Sequence, residues 1–419
     1  MQRIHTVLLA LLLPAMSLWA GEPAFVARWN FSSATREAGV WQTAHAVPDN
    51  GAVATLSFEG ANPVYGFTKK GSVKVRQVRP GDGFIFSAPV AGLPEGTDID
   101  LGLYIGMDKE GTSSWVVEYL DGRRWRDTGL GLTISKGPHS NETSFIGTFT
   151  LRKAFKGNMF KVRLRCTELD AAEDAAFYFM TGIRRAAYFA AWPSGGDKPK
   201  RVLMLGNSYT FFGASHFALL EIAHSQGHRL DVGVNVKGGQ NFLQHLALDR
   251  SRAVIAAGGY EAALLQNQSQ ASAFYASDPE RYLYIKQMSE AMAAEVREYS
   301  PDCRLILEWT WASPKNDWNG HGSAEVHDSL LEKGTVELAA AMGADISPIG
   351  RAFTLGRAEG LPLYYTDDFH QGELGSYLKA CVNYLVLFGG PFGEDVSDCG
   401  LDPAQTARCR EIAMKVVHP

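Results

Sequence analysis

Two rhythms of apolar and polar positions divide the chain. Up to about residue 191 the apolar residues recur in steps of two, over short runs closed by turn residues. Such steps place alternate side chains on one buried face of a strand. Strands are predicted at 53–58, 73–78, 83–86, 99–105, 115–119, 145–150, 160–164 and 176–180. Asp49-Asn50-Gly51, Pro80-Gly81-Asp82-Gly83 and Asp121-Gly122 are the turns between them. In 115–119 the alternation puts Trp115, Val117 and Tyr119 on one face, with Trp125 across a hairpin. So many short strands predict an all-β sandwich or jelly roll over 21–191.

Residues 192–200 hold two prolines, two glycines and no periodic pattern, and are expected to be a linker. After them the rhythm changes. The run 201–205 is apolar throughout, as in a parallel sheet covered on both faces. Further strands are expected at 231–236, 262–266, 304–311 and 345–346. Helices are expected at 215–226, 242–249, 279–299, 323–342 and 374–387. Tyr282, Ile285, Met288, Met292 and Val296 keep helical spacing along the longest of these. Alternating β and α predicts an α/β fold, a three-layer open parallel sheet of flavodoxin-like type, over 201–395. Residues 396–419 are expected to form a tail.

Composition narrows the function. The chain has 419 residues, 46% hydrophobic and 20% charged, which excludes intrinsic disorder. Lys+Arg total 40 against 45 Asp+Glu, a net charge of −5, so no nucleic-acid partner is expected. The apolar run 7–18, after Arg3 and His5, is too short to cross a bilayer as a helix but suits the core of a signal peptide. Cleavage is expected after Ala20, with a secreted or periplasmic product. No later run is long enough to span a membrane, so no stable membrane insertion is expected. Export permits disulfides among Cys166, Cys303, Cys381, Cys399 and Cys409, and Cys399 with Cys409 is the expected pair. No zinc spacing occurs, and His321, His327 and Asp328 match no strong ligand pattern, so neither a metal nor another cofactor is expected.

The chemistry gathers just past strand ends, where open α/β sheets carry their sites. Leu205-Gly206-Asn207-Ser208 leads from a strand into a helix, so Ser208 is either a plain N-cap or a nucleophile near helix N–H groups. Asp367-Asp368-Phe369-His370 sets a carboxylate three residues before an imidazole, a spacing that can fix the tautomer of a general base. Lys237-Gly238-Gly239-Gln240-Asn241 and Gln266-Asn267-Gln268-Ser269 follow two other strands and supply backbone and carboxamide donors suited to an oxyanion.

In this order, the segments resemble the SGNH hydrolase superfamily, the GDSL-like esterases, over roughly residues 200–390. Gly206-Asn207-Ser208 is similar to its nucleophile block, with Asn in place of the commoner Asp. Gly239, or Gly238, is similar to its second-block glycine, and Asp367-x-x-His370 to its last block. The third block departs: Gln268 falls at the usual Asn position, with Gln266 and Asn267 as the other candidates. The resemblance implies a serine esterase in which His370 takes the proton of Ser208 and Asp367 orients the imidazole, Asp368 being the alternative. It further implies an oxyanion hole from the N–H groups of Ser208 and Gly239 with the amide of Gln268. Asn207 and the strand-end pair Trp309 and Trp311 are expected to face substrate. The first half resembles accessory sandwich modules of secreted carbohydrate-active enzymes. Together these imply hydrolysis of O-acyl, chiefly O-acetyl, esters on carbohydrate. The alternatives are an inactive glycan-binding protein and a small-ester or lipid esterase.

Overall fold

The structure is a computed structural model that describes residues 25–29, 40–42, 46–47, 54–67, 73–90, 92–136, 142–179, 187–194, 198–315 and 320–418. The expected signal peptide and its cleavage point lie outside the described residues.

The first part holds β1 (Phe25–Trp29), β2 (Val40–Gln42), β3 (Ala46–Val47), β4 (Thr55–Glu59), β5 (Val64–Phe67), β6 (Val73–Arg76) and β7 (Gly83–Pro89). It continues with β8 (Asp98–Met107), β9 (Gly111–Asp121), β10 (Arg124–Lys136), β11 (Glu142–Thr150), β12 (Met159–Ala171), β13 (Ala176–Phe179) and β14 (Ala187–Trp192). One antiparallel sheet runs β3-β1-β14-β8-β13-β6-β5, with β11 added beside β8. The other runs β10-β9-β12-β7-β4-β2. Their inner faces share one apolar cluster, in which Trp29 meets Phe86 edge-on at 5.5 Å and Phe84 meets Phe179 at 5.1 Å. Trp115 is buried in this cluster.

The second part builds a five-stranded parallel sheet from β15 (Lys200–Gly206), β16 (Leu230–Val236), β17 (Ala262–Leu265), β18 (Arg304–Glu308) and β19 (Asp345–Ser347), in the order β16-β15-β17-β18-β19. Its helices are α1 (Ser208–Phe211), α2 (Ser215–Ser225), α3 (Phe242–Ala247), α4 (Asp249–Ala256) and α5 (Phe274–Ser277). They continue with α6 (Pro279–Tyr299), α7 (Ala324–Met342), α8 (Ile349–Ala358), α9 (Glu373–Phe388) and α10 (Pro403–Val417). Side chains of β15 part to opposite faces. Val202 and Met204 pack with α2 and α9, while Leu203 and Leu205 pack with α6 and α7. Burial on both faces is why the strand reads as one apolar run.

The two parts share a wall. Along β14, Ala187, Phe189 and Ala191 enter the core between the antiparallel sheets, while Tyr188, Ala190 and Trp192 enter the core around α2. Gly102 of β8 has its ring neighbour Phe217 so close that an added Cβ would lie 3.0 Å from Phe217 Cε1. Polar groups stitch the same face. Arg229 donates to Asp98 at 3.0 Å and Asp100 at 3.2 Å, Ser144 meets His216 at 3.0 Å, and Tyr188 meets His224 at 2.5 Å. The first part thus covers an apolar face of the second, and residues 195–197 of the expected linker lie outside the described residues. Within the expected tail, residues 403–417 form a packed helix instead. Helix α10 seats Cys409, Ile412, Ala413 and Val416 in the core that holds α9. All five cysteines are buried thiols, so the expected Cys399–Cys409 disulfide is not made. No helix among the described residues is long and apolar enough to cross a membrane.

Candidate active site

The C-terminal ends of β15, β16 and β17 converge on Asn207. Its Oδ1 accepts the N–H of Tyr209 at 3.0 Å and so caps α1. Its Nδ2 donates to Gln240 O at 2.9 Å, in the loop after β16, and to Asn267 O at 3.2 Å, in the loop after β17. Asn207 is 2% exposed, so it does not face substrate as expected but ties three loops together. Gly206 is needed for room rather than for an unusual φ. A Cβ there would sit 2.4 Å from Thr210 Oγ1 and 2.9 Å from Gln266 Oε1. Beneath, His245 Nε2 lies 3.0 Å from Gly206 O, and burial pulls its pKa down to about 4.

Ser208 opens α1, half-buried, with Oγ 2.9 Å from His370 Nε2. His370 Nδ1 lies 2.7 Å from Asp367 Oδ2. Asp367 Oδ1 accepts the N–H groups of Phe369 and His370 at 3.0 and 2.9 Å. Partial burial would raise the Asp367 pKa, but the His370 contact and the two N–H bonds outweigh it and hold the carboxylate below its usual range. Asp368 turns away: at φ 56° it pairs with Lys315 at 2.9 Å, and its carbonyl accepts from Ser313. The tautomer that satisfies both ring contacts carries its proton on Nδ1 and leaves Nε2 to accept from the serine.

The loop after β17 rearranges the expected donors. Gln268 folds into its own turn, with Oε1 accepting from Gln270 N at 2.8 Å and Nε2 donating to Ser269 Oγ at 3.2 Å. Gln266 is buried, and its Oε1 accepts from Asn207 N and Thr210 Oγ1. Asn267 holds its Oδ1 against the N–H groups of Phe242 and Gln268, at 3.3 and 2.8 Å, which leaves Nδ2 as its uncommitted donor. Of the three candidate amides, Gln268 is thus committed within its own turn while Asn267 keeps Nδ2. Gly239, exposed at φ 71°, sits at the turn after β16 with no side chain or backbone within 4 Å of a Cβ position.

The expected aromatic rim is also corrected. Trp311 is 1% exposed, stacked between Tyr209 at 4.2 Å and Phe353 at 4.0 Å, with Nε1 donating to Phe369 O. Trp309 is buried with Ala273, Ala312 and Leu331. Both rings support the site from below. The half-buried ring against the triad is instead Phe212, stacked on His370 at 4.2 Å and 14°. Gln371 donates to Phe212 O at 2.8 Å and Ser208 O at 3.2 Å, which joins the histidine loop to the serine turn. The buried Lys379 donates to Tyr209 O at 2.9 Å and pairs with Glu308, whose other oxygen accepts from Asn383. Phe212, Gln371 and Lys379 carry no local signal, because their partners lie more than 70 residues away or depend on a fold-specific stack. Among the described residues no group of three His, Cys, Asp or Glu is placed to hold a metal ion. Asp328 is committed to Ala312 N, Thr354 and Arg357.

No family model and no curated protein matches the chain. Among solved structures, a DUF4886 family protein from Bacteroides uniformis is similar over 52% of this chain and 95% of its own, at 19% identity and a TM-score of 0.46. A protein from Slackia heliotrinireducens, described as a candidate SGNH hydrolase, is similar over 45% of this chain and 100% of its own, at 21% identity and a TM-score of 0.37. Axe2, an acetylxylan esterase from Geobacillus stearothermophilus, is similar over 48% of this chain and 97% of its own, at 13% identity and a TM-score of 0.37. These are distant likenesses, and the function below rests on side-chain geometry.

Proposed function

We propose that the chain is a serine ester hydrolase acting on O-acyl groups, with acylated carbohydrate as its substrate class and acetyl as its chief acyl group. The observation that carries the reading is the continuous chain from Asp367 through His370 to Ser208, with contacts of 2.7 and 2.9 Å. His370 Nε2 accepts the serine proton as Oγ attacks the ester carbonyl carbon. Asp367 stabilises the imidazolium that forms. The N–H groups of Ser208 and Gly239 and the Nδ2 of Asn267 receive the developing oxyanion. The imidazolium then protonates the departing alcohol oxygen. Water, deprotonated by His370, releases the acid and restores the serine. With Asn267 as the amide donor, the departure at Gln268 does not spoil the hole, which disfavours the inactive glycan-binding reading.

The carbohydrate part rests on the expected export of the chain. The test is hydrolysis of 4-nitrophenyl acetate by wild type and Ser208→Ala, together with labelling by a fluorophosphonate. The substitution is expected to lower kcat by at least about a thousandfold and abolish labelling. Undiminished turnover in the variant overturns the reading.

A further inference from the structure

Beside Asn267, α3, the loop after β17 and α6 line a cavity of about 140 Å³. It is large enough for about five water volumes, the scale of one sugar ring. Phe242, Ile285 and Met288 line it with apolar surface. Its rim carries Tyr284, 47% exposed, and Leu243, 38% exposed. Together with the apolar wall they give the cavity a ring-sized apolar side that opens to solvent.

The polar groups of the same cavity are donors. Arg281 is exposed and makes no ion pair among the described residues, and its guanidinium carbon lies over the Phe274 ring, 3.7 Å from the centroid. The cation–π contact holds the guanidinium over the ring and leaves its N–H groups to meet a ligand. Asn241 uses Oδ1 to accept from Gln244 N at 2.9 Å, which leaves Nδ2.

This set of groups distinguishes two occupants. An aliphatic acyl chain would fill the apolar wall but strip water from the guanidinium and the amides without replacing it. A pyranose ring offers a C–H face to Tyr284 and Leu243 and oxygen acceptors to Arg281 and Asn241. Resting on the ester-hydrolase reading above, we infer that this cavity is the subsite for one pyranose ring of the acylated glycan. In it Tyr284 is the stacking platform and Arg281 the planar donor. The ester is then presented to Ser208 across Asn267, which belongs to both the cavity wall and the candidate oxyanion hole.

The test measures kcat/KM on 4-nitrophenyl acetate and on a panel of acetylated xylose, glucose and sialic-acid glycosides. Wild type, Tyr284→Ala and Arg281→Ala are compared, with thermal melts for each. Both side chains are exposed, so the melts are expected to coincide. In each variant the ratio of glycoside to small-ester kcat/KM is expected to fall about tenfold on the best glycoside, through KM. A ratio that stays within about twofold in both variants overturns the subsite. So does a wild type that cleaves 4-nitrophenyl acetate but prefers no member of the panel. A wild type inert on every ester overturns the hydrolase reading itself, and the subsite with it.

Discussion

The side chain of Asn207 reaches the backbone of Asn267, Nδ2 to carbonyl oxygen, at 3.2 Å, although the two residues are 60 apart in the chain. The same Nδ2 reaches Gln240 O at 2.9 Å. One carboxamide therefore sets the spacing of the turn that holds Ser208, the turn that holds Gly239 and the loop that holds Asn267. Asn207→Asp would set a carboxylate against two carbonyl oxygens. It is expected to destabilise the fold by about 1–3 kcal/mol, the cost of leaving buried polar groups unsatisfied. Turnover should fall with it. Urea denaturation beside 4-nitrophenyl acetate kinetics checks both, and an unchanged variant would mean the three loops are held by other contacts.

Asn267 and Gln268 are neighbours with opposite expectations. Loss of one oxyanion donor costs about 100- to 1,000-fold in kcat. Asn267→Ala is expected to show that loss, while Gln268→Ala, whose amide is spent within its own turn, is expected to stay within about fivefold. Steady-state kinetics of the two variants decides the assignment, and the reverse ranking would restore Gln268.

Lys379 and Glu308 form a buried ion pair, with side chains 1% and 2% exposed. Burial lowers the Lys379 pKa and Glu308 opposes that shift. Lys379→Met strands a carboxylate in the core and is expected to cost about 3–5 kcal/mol. It also frees Tyr209 O beside Ser208. Adding Glu308→Leu should recover much of the stability, since removing both charges also removes the stranded one. Denaturation midpoints of the single and double variants test this, and additive losses would exclude a coupled pair.

Acid stability depends on buried histidines. Burial pushes His216 and His224 down to about 3 and His245 down to about 4. In the unfolded chain each would titrate near 6.5. Between these values the unfolded state binds the extra protons, so stability falls as pH drops below about 6.5, by about 1.4 kcal/mol per pH unit for each histidine. Above pH 7 they contribute no slope. Urea midpoints from pH 8 to pH 4.5 are expected to be flat and then to fall, and His216→Asn should make the fall shallower. An equal slope in the variant would mean that His216 is protonated in the fold.

The shared wall gives the last expectation. Deleting residues 21–195 would uncover the apolar face of α2 that Tyr104, Tyr188 and Trp192 cover. The remainder is expected to aggregate or lose cooperative melting, rather than keep small-ester turnover as a detachable module would. A soluble, cooperatively melting and active fragment would show that the second part closes its own core.

Periodicity alone determined the element types. The two-residue alternation of 160–164 and the unbroken apolar run of 201–205 follow from which faces each strand buries, and that is written locally. The order of Ser208, Gly239 and the Asp367–His370 pair was also legible, although the structure sets that pair in the loop between α8 and α9 rather than past a strand end. The edges of elements and α10 were less legible, since they depend on what packs against them. Only the tertiary structure shows that Gln268 is committed within its own turn while Asn267 keeps Nδ2, because that turns on which groups each amide already holds. Only it decided that Trp309 and Trp311 lie inside while Tyr284 and Leu243 face out. A strand-end tryptophan reads the same buried or exposed, and its burial is set by Tyr209 and Phe353, which reach it from distant stretches of chain. Hydrophobic rhythm is a property of neighbours in sequence, whereas hydrogen-bond commitment and solvent access are properties of neighbours in space.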